Sequence, residues 1–393
     1  MRISRMKGSL RYKQAIDTYV DRVVESLIPE KDLKLSKYVI CSHEEIAHWL
    51  IVDYKYLPVY QRLEKIRQLL TKEIKRRSKE ILKEAASFYE DRIERALTQI
   101  RDPEKRRETV VRLMDKKEKT LKRIEQDSKV RVKQYMAQFE KQDVFAHYRA
   151  FVNQPDHLAS FFDSKEDVDL LCKETGGYLD RKRLEIEDTA ALLQLKHRLF
   201  GFPKQQSIKH VVIDEAQDFS PFQIAALSEA LHNPLFTILG DVAQGIHSYR
   251  GTNDWKEILE ALPAPEAQIL TLKKSYRTTV EIMNAANQVI RQLDQAGITE
   301  AEPVVRHGDI PRLYEFEKKQ DLIQPLLEEI RVGKNKGYQS IAIIGRSLRE
   351  CKSIHQLLTK ETHLKVQLFN GNDSFEDADL LIVPSYIAKG LEF

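Results

Sequence analysis

No glycine occurs between Gly8 and Gly176. A stretch of that length without glycine is poor in tight turns and favours long helices. Cysteine is scarce: Cys41, Cys172 and Cys351 lie far apart and form no CxxC pair. That excludes a disulfide framework and a structural zinc site, and it fits a reducing, cytoplasmic compartment. No apolar run approaches the roughly 18 residues that a membrane span needs, so no membrane partner is expected. The N-terminus, MRISRMKGSLRYKQ, is basic but lacks the apolar centre of a signal peptide. Neither sign of charge dominates: 64 Lys and Arg against 60 Asp and Glu leave +4 over 393 residues, too near balance to name a partner. Against these absences, 42% of residues are apolar, enough for a sizeable core. Length gives a prior of two to three domains at roughly 150 residues each.

The charge is unevenly spread. Residues 61–140 carry 24 Lys and Arg against 15 Asp and Glu, a net +9 that leaves −5 on the rest. Within that basic stretch Leu63, Ile66, Leu70, Ile74, Ile81, Ala85, Phe88, Ile93, Leu97 and Ile100 recur mostly at three- and four-residue steps, the period of a helix. Arg101-Asp102-Pro103 interrupts the pattern, since proline disfavours helix at the residue before it. Val110, Leu113, Leu121, Ile124, Val132, Met136 and Phe139 then resume it. The spacing predicts two long amphipathic helices in an antiparallel hairpin with a narrow apolar seam. Such an arm is either a spacer with solvated charges or a device that docks on an acidic or nucleic-acid partner. Residues 143–200 read as helical, with Gly176-Gly177 as a breaker, and KYVICS (38–43) as a short strand.

From Ile208 onward the texture changes. HVVID (210–214), LFTIL (235–239), QILTL (268–272), SIAIIG (340–345), VQLF (366–369) and LLIVP (380–384) are short apolar runs, most of them separated by helical patterns. This alternation predicts an α/β fold with parallel sheets. The first run ends in Asp214 and Glu215, and Ser220-Pro221-Phe222-Gln223 then starts a helix with a capping box. Two carboxylates thus sit at the carboxyl end of a strand, where open α/β sheets bind ligands. Phosphoryl transfer uses such carboxylates to hold Mg²⁺ and to orient water, although a lone Asp-Glu pair more often solvates a strand end. Gln244, after the next strand, is expected at the same sheet edge.

Four segments recur in order after apolar runs: DEAQD (214–218), GDVAQGIHSYRG (240–251), LKKSYRT (272–278) and KGLEF (389–393). They resemble motifs II, III, IV and V of the UvrD/Rep-type superfamily 1 helicases and translocases, over roughly residues 207–393. RMKGSLRYKQ, DEAQDFSPFQ and VPSYIAKGLEF resemble the HelD-like branch, motor ATPases that recycle RNA polymerase. The resemblance implies two partial RecA-like parallel-sheet domains of the P-loop NTPase type with a long helical-hairpin insertion. The expected boundaries are residues 1–57 and 142–267 for the first domain, 58–141 for the arm, and 268–393 for the second.

Carried over by residue, the resemblance implies that Asp214 holds the Mg²⁺ of MgATP and Glu215 polarises the attacking water. Gln244 would sense the γ-phosphate and Arg277 would act as arginine finger. Gly390 and Glu392 would help hold the nucleotide, and Tyr249 and Arg250 fall where related helicases contact single-stranded DNA. His247 reads as a loop residue, since no second ligand has metal-type spacing.

No G-x-x-x-x-G-K-[ST] occurs, so the backbone cradle and lysine that bind phosphates are not encoded here. The chain is expected to be an internal piece of a larger motor, inactive alone as an ATPase. Three classes remain: a HelD-like factor acting on core RNA polymerase, a 3′→5′ DNA helicase on single-stranded DNA, and an interaction module with a dead nucleotide site. The large insertion before motif II, with only residues 252–267 between motif III and the next apolar run, favours the first.

Overall fold

The computed structural model of the chain describes residues 2–203, 208–246, 249–252, 254–264, 266–292, 298–362, 364–369, 371, 380–389 and 391. Two compact units divide it: Met1–Asp241 with Ser248–Ala267, and Val242–His247 with Gln268–Phe393. No helix among the described residues is long and apolar enough to cross a membrane.

The first unit begins with α1 (Arg2–Gly8) and α2 (Leu10–Ser26), the latter capped by the Ser9 hydroxyl, which accepts from the Tyr12 N–H at 3.2 Å. An antiparallel pair follows, β1 (Leu33–Leu35) and β2 (Tyr38–Cys41). Helix α3 (His43–His48) runs into a π-helical turn, Trp49–Asp53. Then come α4 (Val59–Gln99) and α5 (Pro103–Met136). Asp102 caps α5 by accepting from the Glu104 and Lys105 N–H groups, and Pro103 occupies its first turn. The two helices run back along each other. Tyr89 bonds Thr120 at 3.1 Å and Lys117 pairs with Glu90 at 2.6 Å across the pair.

The root of this helix pair is anchored and its far end is bare. Leu63, Ile66, Leu70, Ile74 and Ile81 are buried in the unit's main core, together with Ile124 and Val132. Among the described residues from Leu82 to Arg123, Ala96 alone is buried. At the root Arg62 donates to the carbonyls of Leu57 (2.7 Å), Leu50 (3.2 Å) and Lys55 (2.8 Å), tying α4 to the chain that enters it. Arg131 and Tyr135 of α5 donate to the carbonyls of Lys34 and Lys31 beside the β1–β2 pair.

The remaining helices complete that core: α6 (Val144–Val152), α7 (Pro155–Ala159), α8 (Lys165–Asp180) and α9 (Asp188–Leu195), which continues into a π-helical turn at Lys196–Phe200. Gly176 and Gly177, expected to break a helix, lie inside α8. A glycine in a helix interior costs only about 1 kcal/mol, and Val168, Leu171, Thr175 and Leu179 bury the helix's inner face. Lys7 of α1 is fully buried and pairs with Asp188 and Glu185, each at 2.7 Å. Asp188 also accepts from the Tyr148 hydroxyl at 2.6 Å, so the buried charge is both paired and hydrogen-bonded.

A smaller core carries the parallel pair β3 (His210–Ile213) and β4 (Leu235–Ile238), in register from His210↔Leu235 to Ile213↔Ile238. Between them runs α10 (Pro221–Ala230), with the expected capping box: the Gln223 N–H donates to Ser220 Oγ, and the Ser220 N–H donates to Gln223 Oε1. Ile213, Ala216, Ile224 and, from α11 (Trp255–Glu260), Ile258 form its centre.

In the second unit β5 (Lys274–Ser275) pairs in parallel with β6 (Glu302–Pro303), and α12 (Val280–Ile290) lies between them in sequence. Helix α13 (Ile323–Asn335) leads to β7 (Ala342–Gly345). Then α14 (Leu348–Glu361), β8 (Val366–Leu368), β9 (Leu380–Pro384) and α15 (Ser385–Ala388) follow, with strand order β7-β9-β8, all parallel. Ile323, Ile330, Cys351, Leu358, Leu380 and Ile382 are its core. One expectation fails: QILTL (268–272) is no strand, and Leu270 and Leu272 are 83% and 91% exposed. An apolar run becomes a strand only where a neighbour accepts its hydrogen bonds, and pairing here begins at Lys274.

Candidate functional site

The chemistry gathers at the carboxyl end of β3. Asp214 and Glu215 follow its last residue, and both are exposed. Asp214 Oδ1 accepts from the Glu215 N–H at 2.9 Å. Glu215 takes a left-handed backbone conformation, φ +52° and ψ +38°. A non-glycine residue held there stores roughly 1–3 kcal/mol of strain, and such residues cluster at functional sites. A single 3₁₀ turn, Ala216–Asp218, then carries the chain toward the cap of α10.

Gln217 organises the turn. It is 1% exposed. Its Nε2 donates to Glu215 Oε2 and its Oε1 accepts from the Asp241 N–H at 2.9 Å, joining the segment after β3 to the segment after β4. The Ala216 N–H donates to the Leu239 carbonyl and the Thr252 N–H to the Phe219 carbonyl, so the same region is also laced by backbone bonds. Gly251 passes so close that a Cβ there would lie 2.0 Å from the Gln217 carbonyl oxygen. Sequence reasoning gave Gln217 no role. Its signal was its place inside DEAQD, two residues after Glu215.

Other expected site residues fall as follows. Tyr249 and Arg250 are half-buried in the first unit, the Arg250 guanidinium 5.7 Å from the Tyr249 ring centroid. Gln244 ends a 3₁₀ turn, Val242–Gln244, in a segment grouped with the second unit. Arg277 is exposed in the second unit, two residues beyond β5. Gly390, Glu392 and His247 lie outside the described residues. The structure thus brings Asp214, Glu215 and Gln217 together at one strand end.

A divalent cation delivered with a nucleotide fits these residues. Mg²⁺ takes hard oxygen ligands and is usually held by one or two carboxylates plus substrate phosphates. The exposed Asp214 and Glu215 offer carboxylates of that kind. Among the described residues no group of three or more His, Cys, Asp and Glu is placed to hold a metal by itself.

Two family models match the chain one after the other. Residues 270–382 match the UvrD-like helicase C-terminal domain. The ATP-dependent DNA helicase PcrA of Leuconostoc citreum is 23% identical over 188 residues, 47% of this chain and 25% of that protein. PcrA of Staphylococcus aureus (strain NCTC 8325 / PS 47) matches with the same identity and the same shares. The aligned stretch therefore spans a quarter of the length of these curated relatives. Residues 13–262, well over half of the chain, match the UvrD/REP helicase N-terminal domain, and the chain belongs to the UvrD/REP helicase family.

Proposed function

We propose that the chain is part of an ATP-driven superfamily 1 motor that remodels or recycles RNA polymerase. Asp214 holds Mg²⁺ of MgATP, and Glu215 polarises the water that attacks the γ-phosphate. Gln217 keeps the Glu215 carboxylate in place. Gln244, Arg277, Gly390 and Glu392 serve the same nucleotide, as γ-phosphate sensor, arginine finger and nucleotide contacts. The bound nucleotide supplies the phosphoanhydride whose hydrolysis drives the motor. Carboxylate, glutamine and backbone at the β3 end are then pre-set for charge that develops during phosphoryl transfer.

The observation that carries the polymerase reading is the pair α4 and α5, 41 and 34 residues long, placed in the chain before the motif II strand. A structure anchored at its root and bare beyond it suits a lever that reaches a large partner. The basic balance of residues 61–140 suits a channel that accommodates nucleic acid. A second reading, a 3′→5′ DNA helicase or translocase, is favoured by the names of the PcrA relatives and by the Tyr249–Arg250 contact, an aromatic and a guanidinium of the kind that bind single strands.

Two assays separate these readings. Capture of core RNA polymerase that depends on α4 and α5 supports the first. Unwinding of a 3′-tailed duplex with no polymerase capture supports the second. As for turnover, the 393-residue chain contains no G-x-x-x-x-G-K-[ST] and is expected to hydrolyse ATP negligibly. Robust turnover that vanishes in Glu215→Gln would contradict that expectation.

A further inference from the structure

A cavity of about 600 Å³ opens at the root of the α4–α5 pair. Its floor is aromatic and fixed. The Tyr60 hydroxyl bonds His147 Nε2 at 2.7 Å, and Gln61 Nε2 donates to the Phe200 carbonyl at 2.9 Å. The Tyr60 and Phe200 rings sit 4.9 Å apart. The π-helical turn Lys196–Phe200 ends at Gly201, whose φ is +70°. A Cβ at Gly201 would lie 2.6 Å from Pro58 Cγ, so only glycine lets the chain pass here and carry Phe202 to the rim.

The rim is cationic. Lys141 Nζ stands 5.6 Å from both the Tyr60 and the Phe200 ring centroids, and Lys196 Nζ stands 4.8 Å from that of Phe200. Both lysines are exposed. The rings hold the ammonium groups at the mouth while leaving their outer side to solvent. Phe202 is 37% exposed and stacks on His197 with an interplanar angle of 21°. Arg67, also in the lining, is engaged by Glu64 at 2.8 Å, so that pair adds no net charge.

Positive groups beside an exposed ring in an open cavity are the complement of a phosphodiester beside a base. We propose that this cleft binds a segment of single-stranded nucleic acid, with Lys141 and Lys196 on successive phosphates and Phe202 under a base. The π-system accepts any base, so the cleft reads no sequence. An acidic peptide would satisfy the lysines but leave Phe202 without a partner. The proposal is independent of the nucleotide chemistry at β3: it stands or falls without ATP.

The test is fluorescence anisotropy on the full chain with labelled twelve-residue oligo(dT), oligo(rU) and a glutamate dodecapeptide, titrated over a salt series. The variants are Lys141→Glu with Lys196→Glu, the milder Lys141→Ala with Lys196→Ala, and Phe202→Ala. Lys165→Glu with Lys173→Glu on α8 is the control for net charge, and circular dichroism confirms folding. Reversal at the cleft is expected to weaken oligonucleotide binding at least tenfold beyond the control. It is also expected to flatten the slope of log K against log salt by about 1.4, since each single-strand phosphate contact contributes about 0.7. Phe202→Ala is expected to weaken binding roughly fivefold or more for either strand. Equal binding of the two strands supports a site blind to the 2′-hydroxyl, and a preference for one identifies the natural strand. Failure of both oligonucleotides to bind, or cleft variants that behave like the control, overturns the proposal. So does a lysine dependence confined to the glutamate peptide.

Discussion

At the scale of single residues, one strained glutamate and the buried amide that holds it shape the end of β3. Glu215 sits in the left-handed region, and Gln217 bridges its carboxylate to the backbone of Asp241. Replacing Gln217 by leucine removes both bonds, a loss expected to cost about 1–3 kcal/mol in all. Gly251→Ala drives a methyl group into the Gln217 carbonyl oxygen and is expected to destabilise by a similar or larger amount, because the obstacle is backbone. Thermal unfolding of the two variants checks this; melting unchanged from the parent in both would remove Gln217 as the organiser of the turn. The carboxylate pair was legible in the sequence because an apolar strand ending in two acids is a local pattern. The clamp was not, since Gln217 acts on a segment 24 residues away, and no local spacing encodes a hydrogen bond across parallel strands.

At the scale of elements, the α4–α5 pair shows how far periodicity carries. Three- and four-residue spacing placed Leu63, Ile66, Leu70, Ile74 and Ile81 on one face, and all five are buried. The same pattern put Phe88 and Leu97 on that face, yet they are 54% and 51% exposed. Periodicity reports which side of a helix is apolar, whereas burial needs a third element, and β1 with β2 supplies one only at the root. Leu70→Ala is therefore expected to lower stability by about 2–5 kcal/mol, and Phe88→Ala by less than about 0.5 kcal/mol. Denaturant unfolding followed by helix circular dichroism would show it, and equal effects at the two positions would contradict the anchored-root description. The strands at 210–213, 235–238, 342–345, 366–368 and 380–384 were legible for the same local reason. The run at 268–272 misled because an apolar segment does not reveal whether a neighbour exists to pair with it.

At the scale of the whole chain, three histidines set a pH dependence. Burial lowers the pKa of His147, between the Tyr19 and Tyr60 hydroxyls, and likewise of His157 and His197, all from the ordinary 6.5. Each is held neutral in the folded state, so the unfolded chain binds more protons in acid. Their contribution to stability is fully present above pH 6.5 and is lost as pH falls through the depressed folded values. The melting temperature of the first unit is expected to fall on acidification from pH 8 to pH 5. His147→Gln should shrink that fall, and a fall of unchanged size would assign it to other groups. The family is legible in short motifs, each of them local in sequence. The partner depends on a surface that no motif describes.

The most direct test of the central claim is the affinity of purified core RNA polymerase for the full chain. The parent is compared with a variant reversed at the exposed end of the helix pair, Arg101→Glu with Lys105→Glu and Arg107→Glu. A stable complex is expected with the parent and a loss of at least tenfold in the variant, steeper at low salt because exposed charges are screened as salt rises. No complex, or a complex indifferent to the reversal, would contradict it.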